Sequence, residues 1–147
     1  MTIQTTYEEK LDIGRPGHIV NTELKNLISR NVEGEEGIGF GLPVVRSDDN
    51  PNRGARATAT GDTSILGVSV RECSVDANDP DFFGEGREMR VMTKGVIHVT
   101  VAVDVTAGDE VRVIVADGTW SNTGGIVVNG EYDTSAVAGG VARIRLS

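Results

Sequence analysis

The chain has 147 residues, with 14 basic and 22 acidic side chains and a formal net charge of −8. Its length suits one modest domain. An acidic surface repels nucleic-acid phosphates and anionic membranes, since cationic groups drive nonspecific attachment to both. Aromatic residues make up only 4%, so Val, Ile, Leu and Ala must fill the core. The single cysteine, Cys73, excludes an internal disulfide and the common zinc clusters, consistent with assembly in a cytoplasm. No apolar run reaches the roughly 18 residues of a membrane span. Residues 1–10 lack the basic, apolar pattern of a signal peptide.

Taken in chain order, one short segment reads as helix. Leu24, Leu27 and Ile28 share a helical face after a possible cap at Asn21 or Thr22. From there the period is two. A strand is expected over 40–46, then a loop over 47–61, where Asp48-Asp49-Asn50-Pro51-Asn52 precedes a run of small residues. Leu66, Val68 and Val70 alternate with Gly67, Ser69 and Arg71 in a further strand. A second long loop covers 73–86, and a strand follows over 88–93. Loops of this length are functional or mobile in so small a domain.

The clearest strand signal runs over 95–105. Ile97, Val99, Val101, Val103 and Val105 face one way, while His98, Thr100, Ala102 and Asp104 face water. A turn at Ala107-Gly108-Asp109 leads to a strand carrying Val111, Val113 and Val115. Another strand is expected over 125–128, closed by a tight turn at Asn129-Gly130. Ala142, Ile144 and Leu146 mark the last. Roughly eight short strands, most at the 8–12-residue spacing of a sandwich or barrel, give an all-β, single-domain chain.

Reactive chemistry finds little support. His18 follows a turn and His98 lies on a strand, and neither stands beside a nucleophile in an elbow sequence. Asp76, Asn78, Asp79 and Asp81 offer oxygen ligands but lack the glycine and distal glutamate of a calcium loop, so a solvated turn is the better reading. Acidic neighbours raise the Cys73 thiol rather than activate it. Gly34-Glu35-Glu36-Gly37 puts carboxylates where a phosphate cradle needs amides. Residues 103–111 share the turn grammar of lipoyl and biotinyl carriers, yet Lys94, the sole candidate for modification, has unmatched neighbours. The expectation is a protein with no catalytic residue, cofactor or metal, and therefore no enzyme.

A series of short pieces spans nearly the whole chain. It begins with residues 14–20 and Ser29-Arg30, then Ile38-Gly39-Phe40-Gly41 leading into Pro43-Val44-Val45-Arg46. Residues 66–71 and 94–99 follow, then 107–111 before Gly118-Thr119-Trp120, and 138–144 closes the series. In order and spacing these pieces resemble the phage structural cement proteins, small head-decoration proteins of tailed phages. The sequence departs from the pattern at Gly39, where proline is expected, and matches loosely after Gly118.

The resemblance implies a β-sandwich or barrel of jelly-roll type. It implies a protein made in the host cytoplasm that binds the outer face of the capsid, bridges major capsid proteins and stabilises the shell. It also implies self-association, with a dimer ahead of a trimer. Residues 1–12 fit an extended N-terminal arm before a domain over 13–147, with Ile3, Tyr7 and Leu11 as apolar anchors; a frayed terminus is the alternative. Phe82, Phe83 and Trp120 are rare aromatics in expected loops, hence candidate capsid or oligomer contacts. They serve equally as plugs of a small core. A tail or baseplate module and, behind it, a carrier domain stand as the other readings.

Overall fold

The computed structural model describes residues 14–20, 23–72 and 82–147. Ile3, Tyr7, Leu11, Cys73 and the acidic run at 76–81 lie outside the described residues. Within them the chain is all-β, in eleven strands. These are β1 (Asn26–Val32), β2 (Ile38–Gly39), β3 (Pro43–Arg46), β4 (Gly54–Ala57), β5 (Gly67–Ser69) and β6 (Phe82–Phe83). Then come β7 (Glu88–Thr100), β8 (Glu110–Ile114), β9 (Thr119–Ser121), β10 (Ile126–Tyr132) and β11 (Val141–Leu146).

β7 organises the whole. Its 13 residues are rich in Val, Ile and Thr, side chains that fit a pleated surface. Its first half pairs with β1 on one edge and β5 on the other: Met92 faces both Leu27 and Val68. β5 pairs with β3, β3 with β4, and β4 returns in parallel to β1, closing a ring of five strands. The second half of β7 pairs with β11, which continues through β10 and β8 to β9. A parallel bridge from Val101 to Trp120 closes this second ring. Closure removes the free edges that would otherwise pair with other chains.

Each ring has its own core. Val32, Ile38, Phe40, Val44, Ala55, Phe83, Met89 and Val91 fill the first. Ile97, Val99, Val111, Val113, Trp120, Tyr132, Ile144 and others fill the second, joined by Val68, Val70 and Met92 from the shared seam. Gly95 stands where β7 passes from one ring to the other. Its φ of +127° is a backbone state that L side chains rarely adopt, and a Cβ there would press on Lys25.

Several expectations are corrected. The segment expected as helix is the strand β1. Leu27 packs against the second core and Ile28 against the first, so two adjacent apolar residues serve opposite faces of one strand. That arrangement imitates the spacing of a helical face. The Asn129-Gly130 pair lies inside β10 rather than in a turn, at a register shift between Val127 and Glu131. The loop expected over 47–61 contains β4, and the strands expected over 88–93 and 95–105 join in β7, which ends at Thr100. His98 is buried rather than wet, because residues 17 and 18 pair with it: the Gly17 amide donates to its carbonyl and its own amide donates to that of His18.

Candidate interaction surface

Two of the aromatic residues offered as surface anchors, Phe83 and Trp120, turn inward. Phe83 is 1% exposed, its strand partner is Ile38, and its ring meets Phe40 edge-on with centroids 5.0 Å apart. The Arg71 guanidinium sits 4.7 Å from the centre of the Phe40 ring. Trp120 is also 1% exposed, and its indole donates a buried 2.8 Å hydrogen bond to the Gly41 carbonyl. In a chain this poor in aromatics, the largest apolar surfaces gain most by leaving water. Phe83 and Trp120 are thus core side chains in the isolated subunit, as the alternative of core plugs expects. Phe82 is placed only as a residue of β6.

Surface loops are pinned by charge pairs. Arg56 bridges Asp62 at 2.8 Å and Asp48 at 3.1 Å, and Asp62 also accepts from the Ala59 amide. Those bonds hold the Asp62 carboxyl below its usual range. Arg145 reaches both Glu23 and Asp133. Asp109 accepts from Asn122 and from the Thr106 amide, and its carboxyl is likewise lowered. These bonds cross-link the described segments 48–62 and 104–122, each within itself, and tie residue 23 to residue 145.

Of the described groups weighed for chemistry, His98 is shut away and Lys94 is not. The His98 ring lies against Gly14, and burial, Arg143 and His18 together depress its pKa. Lys94 is exposed near the end of β7's first half, paired opposite Asn26 in a strand rather than displayed on a hairpin tip. Among the described residues, no three His, Cys, Asp or Glu side chains gather where they could hold a metal ion.

What the surface does offer is apolar contact. Leu24 is 81% exposed and Val137 70%, with Val127 and Leu42 also open. Val127 borders a groove at the seam of the two rings, lined by Ile65, Leu66, Val128 and Leu146. Sequence reasoning gave none of Leu24, Leu42, Val127 and Val137 a contact role. Two signals were present: the run Ile126-Val127-Val128 breaks strand alternation, and Val137 is a lone large residue among the small ones of residues 135–140.

A family model described as structural cement protein (E217 gp24/Pam3 gp6) matches residues 3–147. The chain belongs to the phage structural cement protein family. Two solved structures share the fold of this cement-family chain. One is from the capsid of Myoviridae phage XM1, with a TM-score of 0.76 and 17% identity, covering 100% of this chain and 98% of that one. The other is the head fiber gp8.5 N base of bacteriophage phi29, with a TM-score of 0.54 and 15% identity, covering 84% and 95%. No curated protein matches in sequence. Identities this low speak for fold alone, and family membership rests on the model match. As a cement-family member, the chain is a phage structural protein of the virion that associates with capsid proteins.

Proposed function

We propose that this cement protein docks on the outer face of a tailed-phage capsid and stabilises the shell by bridging neighbouring major capsid proteins. The observation that carries the reading is the family match along residues 3–147. The architecture supports it. Two closed rings sharing one continuous strand make a stiff body, and pinned loops carry load without rearranging. Open apolar side chains such as Leu24 and Val137 provide contact area that an isolated subunit leaves in water.

In this reading residues 1–12 form an arm whose Ile3, Tyr7 and Leu11 seat on the capsid or on a second copy, and residues 13–147 form the body. The working unit is a dimer, made in the host cytoplasm and added to the shell from outside. The test is to add purified protein to expanded heads that lack it and to follow rupture on heating. Rupture at a higher temperature is expected. Heads whose stability is unchanged at saturating protein would defeat the proposal, and full-strength binding by a chain lacking residues 1–12 would defeat the arm.

A further inference from the structure

The described part of the first ring carries a cationic notch where strand alternation calls for a core side chain. Arg30 lies directly opposite Met89 on β7, and opposed residues share a face of the sheet. Met89 is fully buried, and Ile28 and Val32, two residues either side of Arg30, pack on the same core. Arg30 therefore occupies a core-facing position at the mouth of the ring. Its Nη1 donates to the Ser29 carbonyl at 2.8 Å, while its Nε is buried and meets no acceptor.

The parallel register, with Asn31 beside Gly54, brings Arg53 next to Arg30. The two arginines line a notch of about 290 Å³ with Ser29, Asn31, Asn52 and Glu88. Among the described residues neither guanidinium forms an ion pair. Arg56, Arg90, Arg112 and Arg145 all find carboxylates. Adjacent like charges repel, and Glu88 in the lining offsets only one of the two.

We infer that this notch accepts a carboxylate side chain from an acidic segment of the shell protein. The inference rests on the docking function proposed above. Planar guanidinium groups match a carboxylate in two-point fashion, and Ser29 and Asn52 supply further polar atoms at the rim. Glu88, paired with Asn31, also lines the notch, and the three side chains leave a formal charge of +1 for an incoming carboxylate.

Two measurements test it, one of them independent of the capsid. Titration with poly-glutamate should shift the Nε–H nuclear resonances of Arg30 and Arg53, with poly-lysine leaving them unmoved. No shift, or a stronger response to single-stranded DNA, overturns the inference whatever the heads do. In binding to cement-free heads, the Arg30→Ala/Arg53→Ala variant should lose about tenfold or more in affinity, mostly at low salt. Glu88→Gln should bind several-fold tighter. Thermal midpoints near that of the parent chain guard against misfolding, and Arg53→Ala alone serves if the double variant unfolds. Heads that bind the parent and the arginine variants equally refute the notch while sparing the docking role. Heads that bind none of them refute the docking role instead.

Discussion

The indole Nε1 of Trp120 donates a 2.8 Å hydrogen bond to the carbonyl of Gly41, a residue 79 positions earlier in the chain. Trp120 sits in the core of the second ring, while Gly41 follows Phe40 of the first. The Gly41 amide in turn donates to the Ser69 carbonyl, next to Val68 and Val70 at the seam. One side-chain bond thus ties the two rings together beside the end of β7, where Trp120 bridges Val101. Trp120→Phe keeps a ring but leaves the Gly41 carbonyl without this donor. It should lower unfolding free energy by about 1–3 kcal/mol, read from urea denaturation. An unchanged midpoint would show that the bond contributes nothing.

Gly130 stands where β10 shifts register against β8, and it faces Leu146 of β11. A Cβ at that position would run into the Arg145 carbonyl, a backbone atom that cannot swing aside. Gly130→Ala is expected to cost about 1–3 kcal/mol, as overpacking does. Gly84→Ala is the control, since a Cβ there meets nothing within 4 Å. Its effect should stay within about 0.5 kcal/mol. Equal losses at the two sites would argue against a close approach of the strands.

His98 gives the fold an acid-sensitive point. Burial first, then Arg143 and His18, depress its pKa below the ordinary 6.5. The unfolded chain therefore takes up a proton as pH falls through about 6.5, before the folded chain does. Stability from this group is complete above that value and declines as pH falls toward the lowered folded pKa. Thermal midpoints measured between about pH 7.5 and 5 should drop, and His98→Leu should flatten that part of the profile, above the range where carboxylates titrate. A profile as steep in the variant as in the parent would assign the drop to other groups.

Tyr132 makes the opposite prediction at high pH. Its hydroxyl donates to the Ser121 carbonyl at 2.8 Å, and burial, then Asp109, raises the phenol above its ordinary 10.0. The folded chain keeps its proton where the unfolded chain loses one, so stability falls as pH rises past about 10. Tyr132→Phe should cost about 1–3 kcal/mol at neutral pH, because a buried acceptor is left unmet. The gap to the parent should narrow by about pH 11. A constant gap would mean that the phenol does not titrate differently in the two states.

Much of this molecule is legible in its sequence, because the strand signal is local. Alternation of Val and Ile from Ile97 to Val105, and again through Val111 and Val113, depends only on which residues neighbour each other along the chain. The burial of Val99, Val101, Val111 and Val113 follows that pattern. The ordered pieces from residue 14 to residue 144 likewise carried the family. Composition set an apolar core short of aromatics, and with it the pressure that draws Phe83 and Trp120 inside.

Other features needed partners far away in sequence. Leu27 and Ile28 look helical until β7 separates the two cores they serve. His98 looks wet until residues 14–18 cover it, and Asn129-Gly130 looks like a turn until β11 holds β10 extended. Arg30 reads as an ordinary surface cation until the register with Met89 puts it on the core face. In each case a second strand decides which side of a residue meets water, and pairing between distant segments is a property of the assembled sheet that no local pattern encodes.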